Sequence, residues 1–153
     1  MRASLLAVCA SVLLLGTQSG CESPADKAAE HSLAQAADVT TCRAQAKPVS
    51  APYASGFPPT WTFPPRTTVY HAEDSGQEGT IVTAITSTPF KGVLGYLNHD
   101  AVHAGFAITE GETEAHDAEA NWTGHGFRGR WAIRESSQCP GETVVQVLAV
   151  KRG

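Results

Sequence analysis

Apolar residues recur along this chain at two different periods, and the change from one to the other marks out its elements. After Pro65 come short runs of Val, Ile, Thr and aromatic residues broken by turn formers, the pattern of strands. Thr67 to Glu73 reads as a first strand and Asp74 to Gly79 as a hairpin loop. Thr80 to Thr86 reads as the partner strand, with Ile81, Thr83 and Ile85 alternating against Val82 and Ala84. The spacing then becomes helical: Phe90, Val93, Leu94, Leu97, Ala101 and Ala104 share one face, with Thr88 as N-cap, Pro89 at the first helical position and Gly105 as the stop. Gly92 and Gly95 each weaken that helix by up to about 1 kcal/mol relative to Ala, so packing on a sheet has to hold it. Phe106 to about His116 alternates again, Asn121 to Gly126 reads as a turn, and Phe127 to Glu135 as the returning strand. Thr143 to Val150 is nearly all apolar, as in a central strand. The predicted order is β-β-α-β-β-β: an α+β fold, one small antiparallel sheet with a single helix on one face.

The N-terminal third has a different composition. Arg2 precedes an apolar stretch from Leu5 to Leu15, the length of a signal h-region and too short to span a bilayer. Residues 1–20 are therefore expected to be a signal peptide. Gln18-Ser19-Gly20-Cys21 resembles the lipobox of bacterial lipoproteins, whose cysteine is acylated and becomes the new N-terminus, although Gln18 stands where an aliphatic residue is usual. Ordinary cleavage near Gly20 is the alternative. Residues 21–62 read as the lipidation cysteine followed by an Ala- and Pro-rich tether that contains Pro48, Pro52, Pro58 and Pro59. Within it, Phe57-Pro-Pro-Thr-Trp-Thr echoes Phe63-Pro-Pro-Arg-Thr-Thr; the aromatics are expected to pin the incoming chain to the sheet, a proline-rich docking motif being the other reading. Residues 63–153 read as the single domain.

Cysteine parity bears on the compartment. Cys9 leaves with the signal, and if a lipid consumes Cys21, Cys42 and Cys139 remain as a pair for an oxidising environment. A bridge across almost one hundred residues would contribute roughly 4 to 5 kcal/mol in the chain-entropy model, before any native strain. A metal or redox pair is the other reading of these two residues, but no CxxC spacing supports it. Net charge is −4, and no run of Lys and Arg clusters anywhere, which argues against nucleic acid as a partner.

Candidate chemistry is sparse. His99-Asp-Ala-Val-His103 is similar to the HExxH zinc motif of metalloproteases, with Asp100 in place of the glutamate base. With Phe90 at zero on a helical wheel, His99 falls at about 180° and His103 at about 220°, opposite the apolar stripe, so both imidazoles should face solvent. Glu110, Glu112 and Glu114 alternate along one predicted strand and Arg128, Arg130 and Arg134 along the next. A turn near Trp122 would set Glu114 beside Arg130 and Glu110 beside Arg134. Phe127, Gly129, Trp131 and Ile133 should point at the helix, with Gly129 leaving room for a neighbouring ring. No Gly-x-Ser-x-Gly elbow presents Ser87 or another serine as a nucleophile, the acids from Glu112 to Glu119 lack the spacing of an EF-hand, and no motif calls for a cofactor.

The phrases Phe63-Pro-Pro-Arg-Thr-Thr-Val, Thr88-Pro-Phe-Lys-Gly-Val-Leu and Glu119-Ala-Asn-Trp-Thr-Gly-His-Gly-Phe-Arg-Gly-Arg-Trp-Ala-Ile-Arg resemble segments of exported proteins and lipoproteins of actinobacteria and related bacteria. The resemblance spans roughly residues 57 to 150 and implies envelope localisation without an activity or a site residue. Two expectations follow. The leading one is a non-enzymatic module, anchored to the cell membrane by an N-terminal lipid (palmitate or a similar acyl chain) and facing outward. It would bind an envelope protein, glycan or small ligand through the sheet face or the loops around Trp122 and His125, with Arg128 and Arg130 as contacts. The alternative is a small metal-dependent hydrolase built on His99 and His103.

Overall fold

The computed structural model describes residues 41–49 and 56–153. The expected signal segment and Cys21 lie outside them. The elements are β1 (Thr67–Asp74), a 3-10 turn (Gly76–Glu78), β2 (Thr80–Thr86), α1 (Phe90–His103), β3 (Ala107–Thr113), β4 (Asp117–Gly124), β5 (Phe127–Glu135) and β6 (Thr143–Lys151). All strand neighbours are antiparallel, in the order β1-β2-β6-β5-β4-β3. One six-stranded sheet with one helix packed against it makes this an α+β fold. Among the described residues no helix is long and apolar enough to cross a membrane.

The sheet holds one more strand than the sequence pattern suggests. Residues 117–124 read as surface acids followed by a turn, yet they form β4, between β3 and β5. The turn is tighter and later than expected: Gly124 pairs with Phe127, and the two residues between them, His125 and Gly126, have φ of 50° and 80°. Two successive positive φ values are the signature of a type I′ hairpin, whose twist matches the flanking strands. Gly126 supplies that conformation without cost; His125 has to be held in it.

Alternation sorts the side chains cleanly. Ala118, Ala120 and Trp122 of β4, Trp131 and Ile133 of β5, Val145 and Val147 of β6, and Val82 and Ala84 of β2 face the same side as Phe90, Val93, Leu97 and Ala101 of α1, all within one core. Gly129 faces that core too, and a methyl group added there would collide with the Leu148 carbonyl and stand 2.8 Å from the Trp122 indole. β2 and β6 are neighbouring interior strands of the sheet. Their opposite face is buried as well: Thr83 and Ile85 are as inaccessible as Val82 and Ala84.

The helix starts differently from its expected cap. Pro89 is the N-cap and makes no side-chain capping bond. The Thr88 hydroxyl donates to the Pro65 carbonyl and so ties the helix start to the incoming chain. That chain also belongs to the folded body earlier than residue 63. Phe57 and Trp61 are core residues, Trp61 stands 4.8 Å from both Phe106 and Trp122, and the Thr62 hydroxyl meets the Tyr96 phenol at 2.6 Å. The aromatics of the Pro-rich stretch therefore pin it down, because an indole and a phenyl ring have far more apolar area to bury than the prolines between them have rigidity to lose.

Cys42 and Cys139 are joined in a disulfide, 5.7 Å apart at Cα. Around it the Arg43 amide donates to Glu142 at 2.8 Å, the Arg43 Nε donates to the Arg66 carbonyl at 2.7 Å, and the Val49 amide donates to Val69 at 3.0 Å. No residue of 41–49 takes part in either apolar cluster. This arm is held by one covalent bond and a few peripheral hydrogen bonds.

Candidate functional site

The residues singled out in the sequence fall into three different environments. Trp122 is fully buried on the helix side of β4, edge-to-face with Phe106 and tilted against Trp61. It presents no surface to a ligand. The sequence reading placed it in a turn, and once 117–124 is a strand, alternation sends its ring into the core beside Gly129.

His125 sits at the hairpin tip, yet its ring turns back onto the body. Nε2 lies 2.7 Å from the Ala104 carbonyl and the ring 4.9 Å from that of Phe106. The carbonyls of the last helical turn lack partners within the helix, and an imidazole N–H supplies one. That contact also holds His125 at positive φ. Replacing His125 by Ala is expected to cost about 1.5 kcal/mol by urea denaturation, from the lost hydrogen bond and an unsupported left-handed residue, and His125→Asn to cost less, because Asn tolerates that backbone.

The charged ladder is real but has other partners. β3 and β5 are not neighbours, so Glu114 is not beside Arg130 nor Glu110 beside Arg134. Arg130 makes a two-pronged ion pair with Glu119, diagonally across on β4, and Arg134 approaches Asp117 at 3.5 Å. Glu119 and Asp117 sit in the strand that the sequence reading had as loop and turn, which is why the wrong acids were matched. His116 and Glu135 form a further pair at 2.7 Å. Among the described residues the resolved pKa displacement is that of Tyr70, at the bulge in β1, whose phenol is pushed up by burial and so stays neutral.

His99 and His103 both lie on the exposed face of α1. Among the described residues, the group of metal-ligating side chains close enough to share an ion is Cys42, Cys139 and Glu142, and its two sulfurs are already bonded to each other. The two histidines have no third ligand there.

What remains of the predicted contacts is Arg128, and the register gives it company that the sequence did not suggest. Arg128 faces Val150, Phe127 faces Lys151, and the Arg152 amide donates to the Gly126 carbonyl at 2.8 Å. All three are exposed at the end of the sheet nearest the His125-Gly126 turn, but alternation puts Arg128, with Val150, on the face away from α1 and Lys151, with Phe127, on the helix face; Arg152 follows at the strand end and the Glu119-bound Arg130 lies one step behind Arg128. None of the three is in an ion pair among the described residues. Nearby acid comes from the 3-10 turn carrying Glu78, which packs on β6. The adjacent pair Lys151-Arg152 is visible in the sequence, but its proximity to Arg128 depends on the register between β5 and β6 across the 136–142 connection. No protein-family model, curated protein or solved structure matches the chain.

Proposed function

We propose that the protein is an exported, lipid-anchored, non-enzymatic binding module that takes an anionic group of an envelope polymer on the corner formed by Arg128 and Arg152. The observation that carries this reading is the meeting of Arg128 and Arg152, both exposed and in no ion pair among the described residues, in a chain whose net charge is −4. Diffuse attraction to a polyanion is unfavourable for such a protein, so binding has to be local, at the place where cations outnumber acids. The sheet face stays as the binding surface and the Trp122 loop drops out, because that ring is spent on the core. Export and anchoring rest on the h-region from Leu5 to Leu15, on Cys21, and on a disulfide of the kind that oxidising compartments allow.

Two measurements test it. Mass spectrometry of the native N-terminal peptide is expected to find an acylated Cys21; a chain recovered with Met1 intact overturns the anchoring. For the ligand, binding to a carboxylated polysaccharide such as polygalacturonate, against neutral dextran, is expected to be selective and salt-sensitive. The double charge reversal Arg128→Glu with Arg152→Glu should weaken it at least tenfold, while Lys91→Glu on the helix leaves it unchanged. Equal binding to dextran, or no loss in the double variant, removes the basic corner as the site.

A further inference from the structure

We propose that the Cys42–Cys139 disulfide is a redox latch on the N-terminal arm, one that sets where the chain leaves the folded body, rather than a staple of the core. Three observations meet here. The arm 41–49 contributes nothing to the apolar clusters, so the bond joins a peripheral strap to the β5–β6 loop. The two cysteines differ in exposure: Cys139 is 7% exposed, with its amide donating to the Ser136 hydroxyl, whereas Cys42, on the peripheral arm, is the more exposed of the two. A Glu142 carboxylate oxygen and both sulfurs lie within 4.8 Å of one another. Attack by a thiolate on Cys42 expels Cys139 as a thiolate beside that carboxylate, and like charges so close oppose the step. The latch is closed by default.

The reductant is a dithiol of the envelope. One of its thiolates bonds to the Cys42 sulfur as the Cys42–Cys139 bond breaks, and its second thiol then displaces Cys42. The dithiol ends as a disulfide, and two electrons and two protons pass to Cys42 and Cys139. Among the described residues, the arm meets the body at Cys42 when the latch is closed, and the first core residue is Phe57. If Cys21 carries the anchor, as the proposed function holds, the fifteen-residue separation between Cys42 and Phe57 lengthens the tether by about 50 Å at full extension. The latch itself does not depend on that anchoring.

Proteolysis of the purified full-length chain after Arg43 reads the latch directly, because the Arg43 amide and guanidinium are both tied down beside the bridge. In Cys42→Ser/Cys139→Ser, cleavage after Arg43 is expected to accelerate at least tenfold, while Arg128, Arg130 and Arg134 inside the sheet stay uncut and the near-ultraviolet tryptophan signal is unchanged. The wild type under a dithiol, cut with an arginine-specific cysteine protease that tolerates reductant, should show the same pattern. Glu142→Gln keeps an acceptor for the Arg43 amide yet removes the charge, and is expected to speed reduction by the dithiol about threefold or more. An Arg43 site that opens less than tenfold, sheet sites that open together with it, or a reduction rate indifferent to Glu142→Gln each overturn the proposal. These outcomes are independent of whether Cys21 is acylated or the basic corner binds a polyanion.

Discussion

Trp122→Ala is expected to cost about 4 kcal/mol and to lower the urea midpoint by roughly 2–3 M, taking the slope usual for a domain of this size. The ring is fully buried between Trp61 and Phe106, so its removal deletes a large transfer term and also leaves a void bounded by two aromatic rings that cannot close over it. A net stability of about 5–15 kcal/mol makes that a large fraction of the whole. The indole N–H has no acceptor among the described residues, as is also the case for Trp61 and Trp131. Trp122→Phe therefore relieves an unsatisfied donor while it loses area, and should cost about 1–2 kcal/mol. Gly129→Ala belongs to the same region and should be as damaging as Trp122→Ala, since the added methyl meets the Leu148 backbone carbonyl, which cannot move without breaking the β5–β6 ladder. A Trp122→Ala protein with unchanged urea stability would mean that the ring is not in the core.

The periods that marked out α1, β1, β2, β5 and β6 were legible because each of these elements has one apolar face or two, and burial enforces the pattern. β4 was not, for a reason of chemistry. Its inward residues Ala118 and Ala120 are too small to stand out beside Asp117, Glu119 and Asn121, and Trp122 was then read as the start of a turn. The I′ turn uses His-Gly in place of the common Asn-Gly or Asp-Gly, and His125 tolerates positive φ through a bond to Ala104 that no local pattern announces. Without β4, the strand of Glu110 and Glu112 falls beside β5, where the sheet in fact places β4. Hence the three arginines are legible as one row while their acids are misassigned, and the corner of Arg128 and Arg152 follows from a separate fact, the β5–β6 register. The histidine pair was placed correctly on the outer face of α1 because a helical wheel needs nothing but the helix.

Removing the disulfide is expected to cost about 2 kcal/mol, well under the 4 to 5 kcal/mol that its loop length alone suggests. The larger figure assumes that the bridge restrains only the unfolded chain, across a separation of 97 residues. Once reduction frees the arm in the folded protein as well, reforming the bond must close a loop there too, a short one, because Phe57 is already fixed in the core fifteen residues after Cys42. The stability gained is then the difference between two loop-closure entropies, which grows only with the logarithm of their length ratio and comes to about 2 kcal/mol at room temperature. Urea denaturation of Cys42→Ser/Cys139→Ser against the oxidised wild type measures it. A loss of 4 to 5 kcal/mol would mean that the arm stays docked without its bridge, held by the bonds from Arg43 and Val49, and the disulfide would then be a staple. A loss near 2 kcal/mol means that those bonds do not outweigh the freedom of the strap.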